Sequence, residues 1–210
     1  MKKIFIGIFA LMLCGVMFAR ETKTYITAAY NFGKFTERAE KAQTEIENNG
    51  IDLSITSYFG SNWGVYLNTN YLFPSKMTLS SGGITLTTTS SDWNRAMFLS
   101  AILGPTYKYS INENFELFGA LGFHFAQFSL TSENTVGLNH SFGIGGDLGL
   151  RYLPKKNFYL TGGCLLSHDF YCKGETTIRG YGTTKVSDSY NLGSFRPYIG
   201  IGVSFTEIIK

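Results

Sequence analysis

Phe195-Arg196-Pro197-Tyr198-Ile199-Gly200-Ile201-Gly202-Val203-Ser204-Phe205 separates into two unlike sets when every second residue is taken. Phe195, Pro197, Ile199, Ile201, Val203 and Phe205 are apolar, whereas Arg196, Tyr198, Gly200, Gly202 and Ser204 are polar or small. A period of two is the signature of a strand with different faces. In a water-soluble barrel the apolar set would turn inward, and the remaining set is too small to form a hydrated outer wall. In a membrane barrel the faces exchange places, with the apolar set in lipid and glycine, serine and arginine inside.

The same rule finds eight candidate strands, at 24–34, 50–60, 63–73, 93–109, 115–130, 141–153, 158–171 and 195–205. In the sixth, Phe142, Ile144, Leu148, Leu150 and Tyr152 alternate with Ser141, Gly143, Gly145, Asp147, Gly149 and Arg151. The third sets Trp63, Val65, Leu67, Tyr71 and Phe73 against Gly64, Tyr66, Asn68 and Asn70. The seventh sets Phe158, Leu160, Cys164 and Leu166 against Tyr159, Thr161, Gly163, Ser167 and Asp169.

Connections alternate in length. Residues 60–62, 110–114 and 154–157 are tight and rich in turn formers, while 35–49, 74–92, 131–140 and 172–194 are longer and polar. In an antiparallel barrel every second connection lies on one side, and outer-membrane barrels have short periplasmic turns and longer outer loops. An even strand count then leaves both termini periplasmic. Aromatics on the apolar face form two bands: Phe59, Trp63, Tyr107, Phe115, Tyr152, Phe158 and Phe205 near the periplasmic ends, and Phe32, Phe73, Phe195 and Trp93 near the outer ends. Rings at both ends of an apolar band sit among lipid headgroups. The expected fold is therefore all-β, an eight-stranded antiparallel up-and-down transmembrane barrel.

Met1-Lys2-Lys3, an apolar run Ile4 to Phe18 and a small residue at Ala19 read as a secretion signal, residues 1–19, leaving one barrel domain over 20–210. Cleavage before Cys14, as in a lipoprotein, is the alternative. The apolar run is shorter than the ~18 to 20 residues of a spanning helix. Charged residues make up 16% of the chain, below the ~25% of soluble domains, and the basic ones are scattered. No nucleic-acid partner is expected. Cys164 and Cys172 lie too far apart on one extended segment to bridge.

The secretion signal, the alternation, the turn parity and the terminal R-P-Y-I-G-I-G-V-S-F together resemble the small OmpA/OmpX-like outer-membrane barrels of bacteria. Leu103-Gly104-Pro105-Thr106-Tyr107, the Asn112 turn and Phe115 to Phe123 are similar to paired strands of that superfamily. The ending also resembles the signal by which such chains are handed to the barrel-assembly machinery, with Tyr198, Gly200, Val203 and Phe205 at its positions. The resemblance implies residence in the outer membrane, contact with its lipid and a monomer.

The inward set carries ionisable groups. Lys108, Glu116 and Arg151 fall toward the periplasmic end, Asp147 and His124 near the middle, and Asp52, Asp169 and Arg196 toward the outside. An eight-stranded barrel has an interior just wide enough to be filled by side chains, and a charge there must be paired or hydrated. Two ion-pair clusters are expected, Lys108/Glu116/Arg151 below and Asp52/Asp169/Arg196 above, plugging the lumen. The alternative is a narrow pore gated by one of these pairs. Gly122, Gly143, Gly145, Gly163, Gly200 and Gly202 would leave a cavity unless Tyr58, Tyr66, Phe98, Phe118, Tyr159 and Tyr198 fill it.

Ser167-His168-Asp169 invites comparison with a hydrolase, but neighbours in a strand point to opposite faces, so His168 would face lipid and away from its partners. His124 and His140 lack metal-ligand spacing, His124 reading as a lumen group and His140 as a loop residue. No catalytic residue, metal or cofactor is expected. Loop 74–92 reads as a Thr/Ser-rich hairpin about Gly82-Gly83, and loop 172–194 as a second one over Thr176 to Val186 about Gly180-Tyr181-Gly182. Within loop 35–49 the composition predicts a marginal helical turn capped by Thr36. The expected role is structural or adhesive, through host or environmental ligands at loops 74–92 and 172–194. Transport of a small or hydrophobic molecule, as in OmpW-like members, is the alternative, and a lipid-modifying enzyme a third.

Overall fold

The computed structural model describes residues 21–39, 42–60, 62–133, 135–155, 157–179, 182–186 and 191–208. The segment read as a secretion signal, Cys14 included, lies outside them, as do Gly180 and Tyr181. Ten strands run through the described residues: β1 (Glu21–Ala39), β2 (Ala42–Phe59), β3 (Trp63–Ser81), β4 (Ile84–Thr89), β5 (Arg95–Ser110), β6 (Phe115–Thr131), β7 (Thr135–Lys155), β8 (Phe158–Ile178), β9 (Gly182–Val186) and β10 (Asn191–Ile208). Eight of them close a ring in the order β1-β2-β3-β5-β6-β7-β8-β10, each antiparallel to its neighbours. β10 closes it, pairing Val203 with Phe158 of β8 on one side and with Ile26 of β1 on the other. Closure leaves no unpaired ladder edge in the wall, the condition a sheet must meet in lipid.

The outer wall is made by the apolar alternate set. Ile26, Leu53, Leu121, Leu148 and Ile199 all lie open on it, Ile199 at 68% exposure. A continuous apolar surface of this kind is tolerated only against lipid. Near the end carrying the termini, Trp63 packs on Tyr107 and Phe115 on Tyr152, both with ring centres 4.9 Å apart. Phe158 and Phe205 continue that band, and Phe59 is half-buried. Phe32, Phe73 and Phe195 stand exposed at the other end. Trp93, half-buried, precedes β5 and belongs to no strand.

The turns on the termini side are tight. Gly60 takes a left-handed φ of +59° after β2, and the Asn112 carboxamide oxygen accepts the backbone N–H groups of Asn114 and Phe115 at 2.9 Å. At the opposite end the strands run further than alternation alone indicates. The expected loop 131–140 is instead mostly strand, β6 running to Thr131 and β7 beginning at Thr135, because Leu130, Thr131 and Ser129 keep pairing with Gly137, Val136 and Leu138. His140 consequently lies in β7, its ring stacked on Phe125.

The helical turn expected within 35–49 is also replaced by strand. β1 continues to Ala39 and β2 begins at Ala42, with Phe35 opposite Ile46 and Arg38 opposite Gln43. That segment has no apolar helical face, whereas in the extended form Phe35 and Ile46 both turn into the barrel and are buried. Pairing propagated from the wall overrides the local composition.

The 74–92 segment is the expected hairpin. β3 runs to Ser81, Gly82 and Gly83 turn with φ of +57° and +83°, and β4 returns. Two positive φ values in a two-residue loop are the twist-matched hairpin turn. β9 likewise folds back on β8, pairing Gly182 with Ile178. Cys164 and Cys172 both lie in β8 as free thiols.

Candidate functional site: a plugged lumen and its outer mouth

The interior is stacked in three layers along the axis. Nearest the termini, Tyr25, Tyr58, Leu153 and Tyr159 pack together. Above them come Ala29, Tyr66, Ile102, Phe118, Ala120, Leu165 and Tyr198. The outermost layer is apolar: Phe35, Ile46, Leu72, Phe98, Ala126, Cys172 and Leu192. Glycines receive the rings. A Cβ on Gly149 would lie 2.6 Å from both the Phe118 ring and the Tyr198 hydroxyl, and one on Gly202 would strike the Tyr159 ring. Gly149, Gly163 and Gly202 are therefore seats for aromatic side chains, while Gly122, Gly143 and Gly200 lie against neighbouring backbone. A small cavity at the outer mouth, bordered by Phe98, Phe128 and Leu192, holds about 20 Å³, room for a single water.

Polar groups occupy the gaps between these rings. In the lower layer Glu116 accepts the Tyr25 hydroxyl at 2.7 Å and is approached by Lys108 at 3.7 Å and Lys23 at 3.5 Å. The expected Lys108/Glu116 pair thus forms, but Arg151 does not join it. Its guanidinium lies 3.9 Å from the Phe118 ring centre and 4.3 Å from that of Tyr25, and it donates to the Tyr58 hydroxyl and to Thr56. Contact with ring faces takes the place of an ion pair. Lys23 fills the position foreseen for Arg151. It sits two residues before inward Tyr25, so parity marked it, but the strand read from sequence began one residue too late.

At mid-height Asp147 accepts two phenols, Tyr66 at 2.6 Å and Tyr198 at 2.9 Å. A chain of carboxamides runs from Asn31 through Asn70 and Asn68 to the Asp52 carboxylate. Higher up, Asp169 accepts Ser141 Oγ at 2.5 Å and His124 Nδ1 at 2.6 Å, while Arg196 donates to Ser100 at 3.0 Å. The upper cluster expected of Asp52, Asp169 and Arg196 is therefore not a set of contacting ion pairs among the described residues. Asp52 is instead bonded by Asn68 and Asp169 by Ser141 and His124, while Arg196 reaches Ser100 with Nη1 alone and its Nε and Nη2 find no hydrogen-bond partner among the described residues. The strand register behind these contacts links residues far apart in sequence, and alternation alone carries no sign of it.

Ser167, His168 and Asp169 diverge as neighbours in a strand must. His168 is exposed on the outer wall, Ser167 bonds Ser194 at 2.6 Å, and Asp169 is buried. Ser141, His124 and Asp169 do meet in the lumen, but the serine is bonded to the aspartate and the histidine does not touch it, so the proton-relay order of a hydrolase is missing. Tyr198 turns inward while Val203 and Phe205 are exposed on the wall. β10 continues past Phe205, with Thr206 opposite Lys23.

The model of the outer membrane protein beta-barrel domain matches residues 6–193. The chain belongs to that family. It is an outer-membrane β-barrel protein of bacterial type, and its fold is similar to several solved structures. OprG from Pseudomonas aeruginosa shares 15% identity with a TM-score of 0.65, over 89% of this chain and 97% of that one. Ail, the attachment invasion locus protein of Yersinia pestis, shares 17% at 0.51, over 87% and 98%. The outer membrane protease OmpT from Escherichia coli shares 10% at 0.50, over 90% and 98%. No curated protein matches the sequence. An attachment protein and a protease on one architecture mean that role has to be argued from this chain's own residues.

Proposed function

We propose that the protein is a non-enzymatic, non-conducting scaffold, a monomer with both chain ends in the periplasm, that holds two β-hairpins beyond the outer leaflet for an extended ligand of a host or of the environment. The observation that carries this reading is the three packed layers lying in series beneath the β3/β4 and β8/β9 hairpins. The short turns on the termini side support the orientation. Among the described residues β4 pairs only with β3 and β9 only with β8, so each hairpin offers a ladder edge to which a partner's strand can add. Planar-bilayer recording of refolded protein, with heat-modifiable gel mobility to verify the barrel, tests it. A folded and electrically silent protein is expected, and steady conductance would overturn the scaffold reading.

The apolar outermost layer favours one second reading, capture of a hydrophobic molecule at the mouth. A β-bulge between Glu47 and Asn48 shifts the register there, and the hairpin face bearing Met77, Leu79, Ile84 and Leu86 continues the apolar layer, with Met77 packed against it. Uptake of an apolar fluorescent dye that is lost in Phe98→Asn would favour capture over display.

A further inference from the structure

Above the outer aromatic band, the wall formed by β8, β10 and β1 changes chemistry. Lys34, Thr36 and Arg38 follow one another on the outward face of β1, opposite Phe195, Gly193 and Asn191 of β10. Gly193 in turn faces His168 of β8, so Thr36, Gly193 and His168 form a single row across three strands. Around them is an open depression of about 270 Å³. We propose that this depression binds a phosphate carried on the headgroup of an outer-leaflet glycolipid.

Four observations carry the assignment. First, the donors are of the right kind: an ammonium, a guanidinium, an imidazole, the Thr36 hydroxyl and the Asn191 carboxamide border one hollow, and a guanidinium offers a phosphate two parallel N–H groups. Second, the dimensions suit a phosphorylated sugar. Two strand spacings separate Thr36 from His168, roughly 10 Å, and four residues of rise separate Lys34 from Arg38, roughly 13 Å. Third, the floor is open without a packing reason. A Cβ on Gly193 would find its nearest neighbours only at 3.9 and 4.0 Å, so the missing side chain serves the hollow and not the wall. Fourth, an apolar track leads away beneath it. Phe195 at its lower rim is 57% exposed, and Leu166, Ile199 and Ile201 continue down the lipid-facing surface.

A headgroup in the hollow would thus have its acyl chains along a wall already made for them. The hollow opens sideways from the barrel and not toward the mouth, which is where a membrane lipid presents its phosphate. Two acids of β2 border it: Glu45, opposite Thr36, with Oε2 3.2 Å from Lys34 Nζ, and Glu47, opposite Lys34 but held by Lys76 at 3.2 Å. The Lys34 ammonium keeps further donors for a second anion. Arg38 makes no ion pair among the described residues. The leaflet named here rests on the orientation proposed above, while binding itself does not.

Native mass spectrometry of the refolded full chain in zwitterionic detergent tests the site, with diphosphoryl lipid A as probe and its dephosphorylated form as control. Retention of the phosphorylated lipid alone is expected. Arg38→Gln combined with His168→Asn should weaken retention on the order of tenfold, and Lys155→Gln, an exposed cation at the termini end of the barrel, should leave it unchanged. Inorganic phosphate at millimolar concentration should not displace the lipid. Equal retention of the dephosphorylated lipid, an unaffected double variant, an equally weakened Lys155 variant, or displacement by inorganic phosphate would each overturn the proposal, the last by assigning the hollow to a soluble anion. A barrel inserted the other way round would still bind in detergent, so an error of orientation is distinguishable from an error about the site.

Discussion

Gly149 supports two side chains from its own row of the sheet, the ring of Phe118, its partner on β6, and the hydroxyl of Tyr198, reached past Gly163 of β8, each 2.6 Å from where its Cβ would stand. Gly149→Ala should therefore destabilise the barrel by about 1–3 kcal/mol through overpacking, read as a lower urea midpoint for loss of the heat-modifiable band. Gly137→Ala, whose added atom would find its nearest neighbour at 4.0 Å, should stay close to wild type. Alternation shows that both glycines and rings face inward, but which ring lies on which glycine depends on the register between neighbouring strands, Phe118 on Gly149, Tyr198 on Gly163 and Tyr159 on Gly202, which one strand's sequence does not hold. Glu37, above the outer aromatic band, borders the apolar mouth beside Ile46, Phe98 and Leu192, and burial pushes its carboxyl up from the ordinary value. The folded chain thus binds this proton more tightly than the unfolded chain does. The contribution to stability is complete below the ordinary glutamate range and is lost as pH rises through the raised value. Glu37→Gln should be more stable than wild type at neutral pH and flatten that part of the profile, as thermal unfolding from about pH 4 to about pH 8 would show.

Among the elements, β4 is the clearest case of a strand outside the closed wall, pairing only with the end of β3 among the described residues, while that end of β3 stays paired to β2 on its other side. Ile84 and Leu86 are 67% and 60% exposed, and of the β3/β4 hairpin's residues Met77 alone is packed against a lumen layer. Deleting residues 77–88 should leave barrel formation and gel mobility intact while abolishing binding of any ligand that adds to the β4 edge, measured by pull-down on whole refolded protein. The hairpin was legible because alternating Thr/Ser arms flank Gly82-Gly83, a turn signal that needs no tertiary context. The 35–49 segment was not, because Glu, Lys and Ala favour helix locally. What decides it is the burial of Phe35 against Ile46 inside a ring that the segment itself does not encode.

For the molecule as a whole, the layers obstruct the axis one after another, and series obstruction has a definite consequence. Alanine at Phe118 and Tyr198 opens only the middle layer, and current should remain absent in planar bilayers. Steady conductance should appear only when Tyr58 and Tyr159 below and Phe35 and Phe98 above are truncated as well. Conductance from the middle-layer variant alone would mean that the outer two layers are not seals. The barrel, its strand count and its lipid-facing wall follow from a period of two, a property each strand displays by itself. The polar partners do not, since His124 reaches Asp169 only through the register that sets both beside Gly143 of β7, and Tyr25 meets Glu116 only after the sheet has curled.

Closure of the ring between β10 and β1 also imposes a timetable. Glu21 must wait for Ile208 and Thr24 for Phe205, so the first strand made is the last to be satisfied. Until the final segment arrives, the nascent sheet has two raw margins in a compartment full of other unfinished sheets. Custody of the chain during that interval is as much a demand of this topology as the finished wall is.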